Sequence, residues 1–103
     1  MAVSREYRDF VLEQLACVGP VTAKNMFGGV GIYLHGIFFA LIANDILYFK
    51  VDDSNRPDYA TAGMRPFGNM QYYEVPIEVL EDREQLQAWA NKAVTVAKRK
   101  RKR

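Results

Sequence analysis

Residues Val21–Val51 read "VTAKNMFGGVGIYLHGIFFALIANDILYFKV", and the reading of this stretch decides the fold. Four runs rich in β-branched and aromatic residues, "VTAKNMF", "VGIYLH", "IFFALIA" and "ILYFKV", are separated by Gly28-Gly29, His35-Gly36 and Asn44-Asp45. Such runs are strands, and breaks of two or three residues make hairpins, so the strands are expected to be antiparallel neighbours. In the fourth run Leu47, Phe49 and Val51 share one face while Ile46, Tyr48 and Lys50 share the other, the alternation of a sheet covered mainly on one side. The third run is apolar on both faces. That predicts a central strand, or a sheet whose second face is closed by another subunit, and on this ground a homodimer is expected.

The glycines within "NMFGGVGIYLHG", Asn25–Gly36, raise the question of a phosphate loop. A phosphate cradle needs a strand, a glycine-rich turn and then a helix whose first N–H groups face the anion. Here the glycines lead into another strand, position 34 is leucine where a dinucleotide fingerprint needs glycine, and no Gly-Lys-Ser/Thr comes after Gly28. The structural reading is that Gly28 and Gly29 turn the first strand into the second, with Gly31 marking a bulge or a close neighbour. The alternative is a small-ligand corner, or an enzyme site, formed by Met26, Phe27, Gly28, Gly29, Gly31 and Tyr33.

Outward from the strands, Ser4 is a candidate helix cap, and Tyr7, Val11, Leu15 and Val18 recur at helical spacing before Gly19-Pro20, predicting a helix over 4–18. A short middle helix is expected near 55–62, capped at Asp53 or Ser54 and stopped by Gly63. "MQYYEV" makes a fifth strand ended by Pro76. Asp82 and Gln85 stand in capping-box relation, and Leu86, Trp89, Ala90, Ala93 and Ala97 succeed them at helical steps. The fold class is therefore α+β: two layers, an antiparallel sheet of about five strands, N- and C-terminal helices and a short middle helix.

With 103 residues, half of them apolar, the chain can bury one core. Residues 1–97 read as a domain and 98–103 as a basic tail. That tail, Lys98, Arg99, Lys100, Arg101, Lys102 and Arg103, holds six of the fourteen basic groups, and without it eight basic residues face twelve acidic ones, a net charge of −4. Attraction to nucleic acid is thus expected from the tail, weakly and without base readout, and beyond its first turn the tail is expected to fray from the helix. No apolar stretch reaches the length of a membrane span, and "MAVSREYRDF" is too polar for a secretory signal. One cysteine and one histidine make neither a disulfide nor a four-ligand zinc site. A cytoplasmic protein without metal or cofactor is the expectation.

Single residues read plainly. Cys17 and Trp89 are expected in the core, and His35 in a solvated turn. Asp52, Asp53 and Asp58 could draw a hard cation, but helix capping explains them more simply. Phe38-Phe39 and Tyr72-Tyr73 suggest base stacking, yet the basic-aromatic strand signature of RNA-binding sheets is absent. Lys24, Lys50 and Arg65 are scattered along the chain, and their convergence in space is not readable. No nucleophile, base and orienting group assemble into a known motif, so no catalytic residue is assigned and the chain is not expected to be an enzyme.

The ordered set "MFGGVGIYLHGIFFALIANDILYFKVD", "GMRPF", "YYEVPIEVLED" and "LQAWANKAV" resembles the N-terminal domain of the TfoX/Sxy family of competence regulators, from about Tyr7 to Ala97. The resemblance implies a two-layer fold of helices on an antiparallel sheet. It also implies a non-catalytic role in transcription of DNA-uptake genes, beside a DNA-binding activator, and hence a protein partner in the transcription machinery. Two departures stand out. A basic tail occupies the place of the family's second, C-terminal domain, and the hairpin that is commonly Asp-Gly here reads Asn44-Asp45, which must reach positive φ without glycine.

Overall fold

The computed structural model describes residues 3–26 and 28–101. Among them, Val21–Met26 (β1), Gly29–Leu34 (β2), Ile37–Ala43 (β3), Ile46–Lys50 (β4) and Tyr72–Glu74 (β5) form a sheet in the order β1-β2-β3-β4-β5, antiparallel throughout. The helices are Arg5–Leu15 (α1), Arg56–Thr61 (α2), Ile77–Leu80 (α3) and Arg83–Arg101 (α4). This is the α+β meander that the hairpin spacing predicts.

The turns work as the residue types require. His35 and Gly36 have φ of 51° and 79°, and Asn44 and Asp45 have φ of 53° and 58°, so both tight hairpins put two central residues in the left-handed region. Asp45 has a use that glycine could not serve: its carboxylate accepts a hydrogen bond from the Ser4 amide at 2.8 Å and ties the hairpin to the start of α1. Ser4 caps that helix, its hydroxyl accepting from the Tyr7 amide at 3.1 Å. At α4, Asp82 accepts from the amides of Glu84 and Gln85, both at 3.1 Å.

The doubly apolar third run has a specific explanation. Cross-strand partners share a face of the sheet, and the β2–β3 register steps from Ile32↔Ala40 to Tyr33↔Phe38, leaving Phe39 as an extra residue in β3. Phe39 and Ala40 are consecutive, yet both join the core. Ile37, Phe39, Ala40 and Ile42 thus meet the helices, together with Ile32 and Leu34 of β2 and Leu47 and Phe49 of β4. Val11 and Leu15 of α1 and Leu86, Ala90, Ala93 and Ala97 of α4 close this layer from above. Phe38, Leu41 and Ala43 point to the other face. β3 is indeed the central strand.

Several boundaries differ from the sequence expectation. α1 ends at Leu15 and not at Val18, because Val18 N–H turns back to the Leu15 carbonyl at 2.9 Å. Cys17 is therefore off the helix stripe and outside the core; it is half-buried, and its thiol donates to the Gln14 carbonyl at 3.3 Å. The cap of α2 is Asn55, not Asp53 or Ser54, and its side chain is engaged elsewhere: its amide donates to the Lys50 carbonyl at 3.1 Å while its oxygen accepts from the Asp52 amide at 2.8 Å. β5 is only three residues long, and the Pro after it opens α3, a turn of helix that the pattern did not suggest.

Candidate functional site

The helices cover one face of the sheet, and the register fixes what lies on the other. Lys24, Gly31, Leu41, Tyr48 and Glu74 are paired in one continuous row across all five strands, and Met26 with Gly29 begins the row beside it. β2 thus presents two glycines and then Tyr33 to this face. Met26 and Phe38 cover Gly31, the backbone at Gly29 lies low beside them, and an apolar groove of about 340 Å³ results, its walls made by Met26, Phe38, Leu41 and Ala43 and its rim by Phe67 and Met70.

The rim comes from residues 64–71, which fold over the β4–β5 side. Glu74 N–H donates to the Arg65 carbonyl at 3.0 Å and Phe67 N–H to the Tyr72 carbonyl at 2.7 Å, so this segment first runs beside β5 and then turns at Gly68 (φ 56°). Phe67 comes down on Tyr48, ring centroids 4.9 Å apart. Met70 is left 50 % exposed at the groove edge, a placement that suits a soft, adaptable contact side chain.

Gly29 and Gly31 serve close approach. A Cβ on Gly31 would stand 2.7 Å from Met26 Cε and 3.1 Å from Phe38 Cε1, and one on Gly29 would collide with the Ile42 carbonyl oxygen. Of the corner residues, Met26 and Gly29 line the groove, Gly28 turns the chain at φ 76°, Tyr33 stacks on Phe38 at 5.1 Å, and Phe27 lies outside the described residues. The glycine stretch therefore passes from strand to strand, and the space it leaves is apolar, unlike a phosphate cradle.

Lys24 and Lys50 share this face but stand apart on β1 and β4, each over an aromatic ring: Lys24 Nζ lies 5.9 Å from the Tyr33 centroid and Lys50 Nζ 4.8 Å from that of Tyr72. Phe38 bridges Tyr33 and Tyr72, with a centroid distance of 5.6 Å to the latter. Tyr72 is only 3 % exposed, so it offers no ring face to a base. Burial, followed by the neighbouring Tyr33, pushes its phenol up to about 12. The Tyr48 phenol is also raised, first by burial and then by the Glu74 carboxylate. Phe39 and Tyr73 belong to the helix-covered side.

Elsewhere the sequence candidates fall apart in space. His35 is exposed in its turn. Asp53 pairs with Arg56, Asp58 with Lys92 at 2.8 Å, and Asp52 with Arg99 at 2.9 Å. Burial opposes ionisation of Asp52, but the Ser54 hydroxyl and amide and the Arg99 guanidinium outweigh it and hold the carboxyl at about 2. Among the described residues no group of three or more His, Cys, Asp or Glu side chains is placed to hold a metal ion. Trp89 is half-buried, packed against the core with its ring edge-on to Tyr59 at 4.7 Å. α4 carries the first turn of the basic run as far as Arg101; Arg99 is ion-paired, and Lys102 and Arg103 lie outside the described residues.

A family model, the TfoX N-terminal domain, matches residues 13–97. The chain belongs to this family. The match begins inside α1 and ends at Ala97 in α4, so it takes in the whole sheet, the groove and the 64–71 segment. No curated protein matches the chain. For this TfoX N-terminal domain, Leu41, Ala43, Phe67 and Met70 are the wall and rim residues that sequence reasoning missed. The signals present were the second apolar face of β3 and the "GMRPF" segment, which carries a phenylalanine into a loop. Among the described residues no helix is long and apolar enough to cross a membrane.

Proposed function

We propose that this TfoX N-terminal domain is a non-catalytic regulatory module that acts by protein contact through the open face of its sheet. The observation that carries the reading is the apolar groove between Met26, Phe38, Leu41, Phe67 and Met70, on a face that none of the described helices covers. An apolar recess with a half-exposed methionine at its rim suits a protein surface. The narrower role, control of DNA-uptake genes in the cytoplasm through contact with the transcription machinery, is supported by the family resemblance. The basic run Lys98–Arg103 adds weak, sequence-independent attraction to polyanions.

Tagged wild-type chain and a Met70→Asp variant, expressed in a cell whose DNA-uptake genes are active, test the reading. A protein retained by the first and lost by the second, whether a transcription protein or a second copy of the chain, is the expected result. The same protein retained equally by both, with both chains folded, refutes the open face as the contact surface. The groove volume also favours a second reading, a small apolar ligand, since about 300 Å³ is where small-molecule sites begin. Ordered ligand density in the groove of crystals soaked with metabolite mixtures would select that reading.

A further inference from the structure

We infer that the open sheet face is covered by the same face of a second copy, the two related by a twofold axis parallel to β3. This rests on the reading of that face as a protein contact surface and names its occupant.

The decisive feature is the transverse row Lys24–Gly31–Leu41–Tyr48–Glu74. It has a cation at the β1 end, a carboxylate at the β5 end, and Leu41 at its centre on the middle strand. A twofold parallel to β3 lays the row on its own reverse. Lys24 then meets the partner's Glu74 at each end, while the middle of the row, Gly31 beneath Met26 and Phe38 and Leu41 at 8 % exposure, lies under side chains of its own copy. Charge is matched at both ends. The ridge made by residues 64–71 on the β4–β5 half of one copy comes against the β1–β2 half of the other, with Met70 of each copy at the edge of its own groove.

A twofold that runs across the strands sets Lys24 against Lys24 and Glu74 against Glu74. Like charges brought together at an interface are a standard way to exclude a wrong pairing, so the charges favour the first axis over that one. An isologous contact of this kind closes on itself and stops at two copies.

Sedimentation equilibrium of the full chain, of Lys24→Glu, of Glu74→Lys and of the double variant tests the inference, with circular dichroism confirming that each folds. The wild type is expected at twice the 11.8 kDa chain mass. Each single variant, which places two like-charge pairs in the interface, should weaken dimerisation about tenfold or more, and the double variant should return to within about threefold of wild type. A single 11.8 kDa species at about 0.5 mM, which fills any site of micromolar dissociation constant, overturns the inference. So does a dimer that both single variants leave unchanged, or a double variant that stays as weak as the singles. A monomeric chain that still holds a Met70-dependent protein overturns the dimer and leaves the contact-surface reading standing. A monomeric chain with no Met70-dependent partner overturns both.

Discussion

Replacing Gly29 or Gly31 by alanine adds the same single carbon to the same face of β2, and the two variants are expected to behave very differently. At Gly31 the new Cβ meets Met26 Cε at 2.7 Å, Met26 Sδ at 3.0 Å and Phe38 Cε1 at 3.1 Å, all of them side-chain atoms, the nearest at the far end of a flexible chain. Methionine can swing aside at the cost of one rotamer change, about 0.5–1.5 kcal/mol. The unfolded chain loses freedom on the same substitution, which returns about 0.4–1 kcal/mol. The net effect is a loss of about 0–1 kcal/mol. At Gly29 the new atom strikes the carbonyl oxygen of Ile42, which is backbone in the central strand and paired one residue away through Val30↔Ile42. That oxygen retreats only if β2 and β3 separate locally, so overpacking of about 2–4 kcal/mol is expected, less the same entropic return. Thermal unfolding followed by circular dichroism reads the difference. For a domain of about 100 residues, each kcal/mol moves Tm by about 4 °C or a little more, so Gly29→Ala should melt about 4–15 °C below wild type and Gly31→Ala within about 4 °C. Equal losses in both variants, or a Gly29→Ala protein that melts like wild type, would refute the close-approach account of these glycines.

Trp89→Ala should destabilise by about 2–3 kcal/mol, below the range for a fully buried indole because Trp89 packs at the edge of the core against Tyr59, and urea titration measures it. Asp52→Ala should cost about 1 kcal/mol at pH 7, once the shift of its carboxyl to about 2 is discounted for solvent screening. Because the folded-state value lies below the ordinary 3.8, this contribution is complete above about pH 5 and disappears as pH falls towards 2, so the stability gap between variant and wild type should close over that window. Duplex DNA binding by the full chain should weaken with salt at a log–log slope of roughly −4, since Arg99 is engaged by Asp52 and about five cations remain, and truncation after Ala97 should abolish it. Equal binding by both chains in a fluorescence anisotropy titration would remove the tail from that role.

The parts of the fold that were legible in the sequence are those set by near neighbours. Hairpin breaks at His35-Gly36 and Asn44-Asp45, the Ser4 and Asp82 caps and the apolar stripes of α1 and α4 each depend on a few adjacent residues. The hidden parts depend on pairing across the chain. The bulge at Phe39 appears only when β2 and β3 are laid side by side, and the fold-over of residues 64–71 hangs on hydrogen bonds to Glu74 and Tyr72. Cys17 illustrates the same limit: it was expected in the core near the end of a helix over 4–18, but α1 stops two residues short of it. The groove was half legible. Met26 and Gly29 stood out as a corner, whereas Leu41 was concealed within a uniformly apolar run, and Phe67 and Met70 lie far from both in sequence.

The bulge at Phe39 also makes β3 tolerant of a change in its own length. A residue gained or lost within a regular strand turns every side chain beyond it to the opposite face. Deleting Phe39 does not, because Ile37 and Phe38 keep Leu34 and Tyr33 as partners while Ala40, Leu41 and Ile42 keep Ile32, Gly31 and Val30. Both hairpins would retain their turns, and the core would lose one aromatic ring in place of its whole register. The middle of the central strand, ordinarily the worst position in a sheet for an insertion or deletion, is here a point where sequence length can drift by one while the two faces of the protein keep their identities.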